Sequence, residues 1–199
     1  MNLIIILSLF ILLVFYIIKQ ESELSIMKII SFIFIGMGLQ YIALISHKVI
    51  NFFISTEKSY QLIAHQFDDI PLIVLVISVV VMGPIIEEFI FRKLIQTWLH
   101  SKFNPTITII IQALIFGLSH SNFYMFIHTF VLGIIFGLFY YKYKSISIPI
   151  ILHISLNLSA VIFNEILLYK IPTVFFAILL FIGLYSLKIQ SGKRPIKIN

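Results

Sequence analysis

Residues 83–93 read GPIIEEFIFRK, a stretch that sets three ionisable groups, Glu87, Glu88 and Arg92, inside an otherwise apolar run. A charged side chain at the centre of a bilayer costs about 2.5–3.5 kcal/mol on insertion scales, so such residues are rare there. Where they occur, they face the protein interior and mark functional sites. If the flanking sequence crosses a membrane, this stretch predicts both a helical membrane fold and the position of its chemistry.

The composition as a whole is that of a membrane protein. Of the 199 residues, 60% are hydrophobic and 11% are charged, and the mean hydropathy is +1.10. Soluble domains average about 45–50% apolar and about 25% charged residues. Spanning helices of about 20 residues each would use nearly all of the length, which predicts a single integral membrane domain over residues 1–199. The absence of cysteine excludes disulfides, thiolate metal sites and cysteine nucleophiles.

Hydrophobic runs separated by charges and prolines predict an all-α, polytopic helical bundle of about seven transmembrane helices, within a range of six to eight. The runs cover approximately residues 2–18, 27–46, 70–91, 106–120, 123–141, 146–164 and 172–188. Residues 47–69 mix charges with aromatics, which is typical of an amphipathic segment at the membrane surface. Gly83-Pro84 is expected to break or kink the third helix. Residues 189–199 are predicted to form a basic, flexible tail.

The basic residues predict the orientation of the chain. The formal net charge of +6 is expected to set this orientation rather than to bind nucleic acid. With the N-terminus outside, eleven basic residues are cytoplasmic and three are outside: Lys19, Lys28, Arg92, Lys93, Lys102, Lys142, Lys144, Lys188, Lys193, Arg194 and Lys197, against Lys48, Lys58 and Lys170. This distribution follows the positive-inside rule and places the C-terminus in the cytoplasm. Abundant Ile, Lys and Phe with little Ala are typical of an AT-rich bacterial genome, so the expected location is a bacterial cell membrane.

The two glutamates are expected to have different roles. Glu88 and Arg92 are four residues apart, so on a helix they lie on one face and can form an ion pair. The alternative interpretation is an ordinary ion pair at a helix end near the cytoplasmic interface, with no further role. Glu87 points about 100° away from Glu88 and is left without a counter-ion. A carboxylate partly removed from water holds a proton more readily, which suits a general base near neutral pH.

Three histidines and an asparagine are the other polar candidates within the apolar runs. His120 ends the run FGLSH, and a lone histidine at the end of a span is commonly an interfacial residue. His153 and Asn157 in HISLN are four apart and share a face, where hydrogen bonding between helices is an ordinary role for such residues. His128 has no polar companion and is interpreted as a packing or substrate-contact residue.

A carboxylate, two histidines and an asparagine on three helices have the chemistry needed for hydrolysis. They supply a base that activates water, a partner for that base, and donors for a developing oxyanion. Glutamate and two histidines are also the ligand types of a catalytic zinc site with an open position. The residues alone are compatible with both metal-free and metal-assisted activation of water.

Three motifs occur in order along this part of the chain. They are E-E-x-x-x-R at Glu87–Arg92, F-x-x-x-H at Phe116–His120 and H-x-x-x-N at His153–Asn157. In this order and spacing they resemble the CPBP family of intramembrane proteases, which includes the type II CAAX prenyl endopeptidases and Abi-like bacterial proteins of bacteriocin processing or immunity. The resemblance covers about residues 80–165, which would form the protease core. Lys93 stands where many members have glycine, a difference expected to affect only local packing.

The resemblance implies a role for the residues of the first two motifs. Glu87 would be the general base and would act on water together with His120. Glu88 and Arg92 would orient that base. All four residue types are present at the expected positions.

The third motif and the cofactor follow from the same resemblance. His153 and Asn157 would stabilise the oxyanion. Family members are described both as metalloproteases and as glutamate-dependent enzymes without a metal, so the cofactor stays open. A divalent metal such as zinc, if present, would be held by Glu87, His120 and His153.

The expected function is that of an intramembrane endopeptidase, which hydrolyses a peptide bond of a membrane-associated peptide or protein with glutamate-activated water. Its expected partners are the lipid bilayer and that substrate. A non-catalytic membrane scaffold or bacteriocin immunity protein is the alternative. A transporter that uses the Glu/His cluster as a relay is a further one, although no internal repeat typical of transporters is visible. Other protease classes fit less well, since the sequence contains neither H-E-x-x-H nor G-x-G-D.

Overall fold

The fold is an all-α bundle, as the hydrophobic runs predicted. The computed structural model describes residues 24–53, 70–120, 122–162 and 172–192, and within these ranges the chain is almost wholly helical and contains no strand. Six helices follow one another there: α1 Ile26–Phe53, α2 Leu72–His100, α3 Pro105–Leu118, α4 Phe123–Tyr143, α5 Ser147–Val161 and α6 Thr173–Gly192. Because a bilayer core offers no water to backbone groups, a chain this apolar satisfies them within helices.

Six of the seven predicted spans correspond to these helices. Four helices, α1, α2, α4 and α6, are long and apolar enough to cross a membrane, and α3 and α5 are shorter apolar helices. The protein is therefore a polytopic, membrane-integral bundle. The first predicted span, residues 2–18, lies outside the described residues, and so do residues 54–69 of the predicted amphipathic segment.

Three helix ends differ from the prediction. α1 continues through residues 47–53, which had been assigned to the amphipathic segment. α2 continues to His100 instead of ending near residue 91. α6 reaches Gly192, so the first residues of the predicted tail are helical, whereas residues 193–199 lie outside the described part. The reason is that lysine, leucine and glutamine are good helix formers, so a helix can continue past the end of its apolar run.

Asparagine side chains define where α3 and α4 begin. Asn104 accepts a hydrogen bond from the backbone N–H three residues later at 3.0 Å. Pro105 takes the first helical position, where its missing N–H leaves no partner unsatisfied. Asn122 caps α4 in the same way at 2.8 Å. The observed start of α3 at Pro105 lies one residue before the predicted run 106–120.

The turn between α4 and α5 is short and well anchored. It consists of residues 144–146. Lys144 has a left-handed backbone with φ of 56°, which lets its N–H bond the carbonyl of Tyr140 at 2.9 Å. Ile146 is buried, and its carbonyl accepts from the N–H of Ile150 at 3.3 Å. This turn therefore sets the position of α5 along the bundle axis relative to α4.

The main apolar core lies where α1 packs against α4, α5 and α6. It contains Phe32, Ile35, Leu39, Leu132, Phe136, Ile148, Leu152, Leu156 and Leu187. Gly36 allows α5 to approach α1 closely, since a Cβ at this position would lie 2.5 Å from the carbonyl oxygen of Leu152 and 2.7 Å from Cβ of Ser155. Small residues allow such close approaches between membrane helices.

Replacing Gly36 by alanine is expected to lower the free energy of unfolding by about 1–3 kcal/mol, because the added methyl group would overlap a helix carbonyl. Unfolding by SDS in mixed micelles, followed by circular dichroism, measures this. Gly83→Ala is the matched control, since its Cβ would meet the nearest atom, the Ser78 carbonyl oxygen, at 3.2 Å. Equal losses in the two variants would contradict the close approach at Gly36.

The hydrogen-bond register of α2 changes along its length. Two stretches are π-helical, Val76–Met82 and Phe89–Gln96, and the rest of α2 is α-helical. The helix does not break at Gly83-Pro84, because the change of register places Pro84 at the start of an α-helical turn, where proline is tolerated. π-Helical turns within α-helices occur frequently at functional sites. The two glutamates lie between these two stretches.

Candidate active site

The buried charges of α2 form an ion pair. Arg92 Nε lies 2.9 Å from Glu88 Oε2, and both side chains are fully buried. The four-residue spacing of the sequence predicted this pairing. The N–H is not aimed at the oxygen as in a hydrogen bond, so the attraction is chiefly that of the two charges. Removing a charge from water is expensive, and a buried pair needs further favourable contacts.

Two aromatic rings supply such contacts to Arg92. Its Cζ lies 4.7 Å from the ring centroid of Phe116 on α3 and 5.5 Å from that of Phe136 on α4. A desolvated cation over an aromatic face gains about 2 kcal/mol or more. The positive charge of α2 is thus held between α3 and α4.

His153 on α5 is the second partner of Glu88. Its Nδ1 donates a hydrogen bond to Glu88 Oε1 at 2.8 Å. This bond turns the other ring nitrogen, Nε2, toward Glu87, whose Oε2 lies 3.9 Å away. In a neutral ring with its proton on Nδ1, Nε2 is a hydrogen-bond acceptor. His153 therefore lies against both glutamates.

Glu87 is the accessible carboxylate of the two. Its side chain is 35% exposed, whereas that of Glu88 is 0% exposed. The 3.9 Å between Glu87 Oε2 and His153 Nε2 is too long for a direct hydrogen bond. A water oxygen about 2.8 Å from each atom satisfies both, with an angle of roughly 90° at the water. The gap thus has the dimensions of a shared water site.

His120 at the end of α3 contacts the same aromatic ring as His153. The centroid of Phe116 lies 5.1 Å from that of His120 and 6.2 Å from that of His153. His120 Nδ1 donates to the carbonyl oxygen of Phe116 at 3.0 Å. In the described part of the chain, His120 forms no ion pair with Glu87 or Glu88, so the glutamates are contacted by His153 and not by His120.

Asn157 is held by the backbone of α2. Its Nδ2 donates to the carbonyl oxygen of Val79 at 3.0 Å. The π register explains why this carbonyl is free. The N–H of Gly83 bonds the carbonyl of Ser78, five residues earlier. The next donor in that register would be Pro84, which has no N–H to offer Val79. Asn157 takes the place of the missing donor and keeps one amide hydrogen for another acceptor.

Replacing Asn157 by leucine is expected to cost about 0.6–1.7 kcal/mol of unfolding free energy, the range measured for side-chain hydrogen bonds between membrane helices. In a Pro84→Ala background the cost should be smaller, because the alanine N–H can bond the Val79 carbonyl instead. A double-mutant cycle with SDS unfolding measures this coupling. Equal costs in the two backgrounds would show that the proline does not free this carbonyl.

The comparisons with known proteins match the part of the chain that contains the candidate site. Residues 69–159, which contain all seven motif residues, match the family model described as Type II CAAX prenyl endopeptidase Rce1-like. A protein of Bacillus subtilis (strain 168), described as "Putative membrane peptidase YdiL", is 34% identical over 145 residues. The chain belongs to the CPBP family. The matched part is 72% of this chain, and the chain spans 58% of the length of that relative. No solved structure matches the chain.

In this CPBP family member, the motif residues form an inner group and an outer group. The inner group comprises Glu87, Glu88, Arg92 and His153, which are linked by the contact of Glu88 with Arg92 and those of His153 with both glutamates. The outer group comprises His120, which packs on Phe116, and Asn157, which bonds the backbone of α2. His128 is half-buried on α4.

One contact of the CPBP site carries no signal in the sequence. Phe136 packs on both Arg92 and His153, with its ring centroid 5.1 Å from that of His153. The chain has 20 phenylalanines, and Phe136 lies outside the three motifs. Phe116, by contrast, is the first residue of F-x-x-x-H. Phe136 is distinguished from the other phenylalanines only by its contacts in the fold, where α4 packs beside α2.

The side chains do not fit a metal ion in this arrangement. In the described residues no three His, Cys, Asp or Glu side chains converge closely enough to hold one. Of the ligands that the resemblance implies, His120 directs Nδ1 at a backbone carbonyl, and His153 directs Nδ1 at Glu88. The steps derived below therefore use only the side chains of the protein.

Proposed function

We propose that this protein is an intramembrane endopeptidase that hydrolyses a peptide bond of a membrane-associated peptide or protein, with water activated by Glu87. The family and the relative support a membrane protease in general. The finer proposal depends on one observation, the 3.9 Å separation between the accessible Glu87 Oε2 and His153 Nε2. A water in that gap would be bound by a base on one side and by an acceptor on the other.

The proposed reaction begins with a proton transfer. The water oxygen attacks the carbonyl carbon of the substrate while Glu87 takes one of its protons. His153 orients the same water through Nε2, since its Nδ1 proton is bonded to Glu88. When the tetrahedral intermediate collapses, the proton held by Glu87 passes to the leaving amine, and the carbon–nitrogen bond breaks. A positioned acid or base of this kind contributes about 10²–10⁴-fold to the rate.

The Glu88–Arg92 pair is proposed to position His153 rather than to react. Glu88 is fully buried and divides its two oxygens between Arg92 and His153. A carboxylate that accepts from Nδ1 fixes the tautomer and the orientation of an imidazole. The guanidinium of Arg92 in turn gives this buried carboxyl group a partner of opposite charge inside the bundle.

The oxyanion donors are proposed to be Asn157 and His120. Asn157 keeps one amide hydrogen beyond its bond to Val79. The Nδ1 of His120 is bonded to a carbonyl, which leaves Nε2 to donate to substrate when the ring is protonated. His153 thereby takes the water-binding role that the family resemblance gives to His120.

The bilayer orientation proposed from the sequence agrees with the arrangement of the helices. The beginning of α1 lies beside the ends of α4 and α6, since Phe32 contacts Tyr143 and the hydroxyls of Ser31 and Ser186 are 2.8 Å apart. Several lysines lie at this end of the bundle: Lys28, Lys102, Lys142, Lys144 and Lys188. By the positive-inside rule this end, with the C-terminus, would face the cytoplasm of a bacterial cell.

Cleavage in reconstituted membranes tests the proposal. Proteoliposomes containing the wild type or Glu87→Gln are incubated with a library of membrane-anchored peptides, and new peptide termini are identified by mass spectrometry. Termini that appear with the wild type and not with the variant are the expected result. Termini of equal yield in both, or in neither, would oppose the proposal and leave a binding or scaffold role as the better account.

A further inference from the structure

Two buried glutamines lie between the candidate site and the lysine-rich end of the bundle. Gln96 on α2 and Gln112 on α3 are both 0% exposed. Their Nε2 atoms donate to backbone carbonyls of α4, Gln96 to Gly137 at 3.0 Å and Gln112 to Gly133 at 2.8 Å. The two glycines let the amides reach the backbone, since a Cβ at Gly137 would lie 2.7 Å from Gln112 Nε2 and 3.2 Å from Gln96 Oε1.

Several polar atoms in this region have no protein partner. Both glutamine Oε1 atoms are buried acceptors without a donor, and Nη1 and Nη2 of Arg92 are buried donors without an acceptor. A buried polar group left unpaired costs about 1–3 kcal/mol. Native proteins therefore pair such groups with protein atoms or with bound water. On α2, Gln96 with its unpaired acceptor follows Arg92 with its unpaired donors at a spacing of four residues, and water can bridge donors and acceptors of this kind.

Four of the residues involved follow one another along α2. Glu88, Arg92, Gln96 and His100 occur at intervals of four residues, across the π-helical stretch Phe89–Gln96. The side of α4 that faces them is in the same order, with Phe136 beside Arg92, Gly137 beside Gln96 and Tyr141 beside His100. A continuous polar stripe thus runs from the site along the contact of α2 with α4.

The stripe ends at a cavity of about 400 Å³ near the lysine-rich end. The cavity is lined by Thr97, His100, Tyr140, Tyr141 and Lys144. Every lining residue carries a polar group, and the hydroxyls of Thr97 and Tyr140 lie 3.1 Å apart. The Nε2 atom of His100 is one more buried polar atom without a protein partner. Each residue around the cavity can thus offer a polar group to water.

We propose that the stripe binds a chain of water molecules that connects this cavity to the candidate site. A hydrolase within a bilayer consumes one water per turnover, and the hydrocarbon around it supplies none. Arg92 would donate to the innermost water, and the free oxygens of Gln96 and Gln112 would accept from those that follow. The use of this water for hydrolysis rests on the proposed function, whereas the presence of the path does not.

The absence of cysteine from the chain allows a direct test. Gln96→Cys and Gln112→Cys are reconstituted in vesicles and treated with a membrane-impermeant methanethiosulfonate that carries a sulfonate. We expect both thiols to react at least tenfold faster than that of Ala113→Cys. Ala113 is the matched control because it is also 0% exposed and follows Gln112 directly, but it packs on Gly133 in an apolar contact. Reaction of both thiols at the control rate would overturn the path.

A second change tests the entrance. His100→Trp, introduced beside Gln96→Cys, is expected to slow the labelling, because the larger ring fills the cavity through which the reagent enters. Labelling that is unchanged would place the entrance elsewhere and contradict the proposed route. The labelling does not depend on peptide cleavage. Reactive thiols in a protein that cleaves no peptide would therefore reject the proposed protease function and support the water path. Cleavage by a protein whose thiols do not react would support the protease function and reject the water path.

Discussion

The Glu87→Gln protein is expected to cleave its substrate about 10²–10⁴-fold more slowly than the wild type, with its unfolding free energy unchanged. The amide has nearly the shape of the carboxylate but cannot take a proton from water. The fold should tolerate the change because Glu87 is 35% exposed and approaches His153 only to 3.9 Å. Turnover of one peptide at saturating concentration, with SDS unfolding of the same preparations, measures both quantities.

Glu88→Gln is the variant with which Glu87→Gln should be compared. Glu88 is 0% exposed and contacts both Arg92 and His153, so the same chemical change there should reduce stability as well as turnover. Glu87→Asp keeps the base but withdraws it by one methylene, and an intermediate rate is expected. Retention of the wild-type rate within tenfold by Glu87→Gln would remove the base from the proposed mechanism. A loss of stability equal to that of Glu88→Gln would mean that Glu87 is structural.

Replacing Arg92 by methionine is expected to lower the unfolding free energy by about 3–5 kcal/mol, the loss typical when one member of a buried ion pair is removed. The variant leaves Glu88 fully buried and without its cation. It also removes the guanidinium from between the rings of Phe116 and Phe136. SDS unfolding in mixed micelles gives the difference, and the loss should exceed that of any other single replacement of a cation.

The neighbouring cation provides the control. Lys93→Met changes the next residue of α2, which is half-buried, and such a change should alter stability by no more than about 0.5 kcal/mol. The double variant Glu88→Leu/Arg92→Met should recover most of the loss, because an apolar pair replaces the unpaired charge. A double variant as unstable as Arg92→Met alone would show that the cation acts mainly through the aromatic rings.

Much of the fold could be predicted from hydropathy, because a chain that crosses a bilayer must satisfy its backbone hydrogen bonds within helices. Each described helix corresponds to an apolar run, and α3 begins at Pro105, one residue before the predicted run 106–120. The extension of α2 to His100 could not be predicted in this way. The polar residues there face α3 and α4 and not the lipid, so local hydropathy alone cannot show that they belong to a helix.

The site could be predicted where it depends on a single helix. The spacing of Glu88 and Arg92 was sufficient for their ion pair, and it left Glu87 as the carboxylate without a cation. The contacts of His153 and Asn157 depend on the height of α5 against α2, which neither segment specifies by itself. The bond from Asn157 to Val79 further requires the π register before Pro84, a backbone property that hydropathy does not report.

The three-residue turn between α4 and α5 limits how the length of this protein can vary in evolution. A residue inserted there would lengthen the turn or displace the start of α5, and a displacement by one helical position, about 1.5 Å and 100°, would carry His153 away from Glu88. Compensation would need a matching insertion in α2, where two π-helical stretches already set the register. Homologous chains should therefore differ in length before α2 and after α5 far more than between residues 143 and 147.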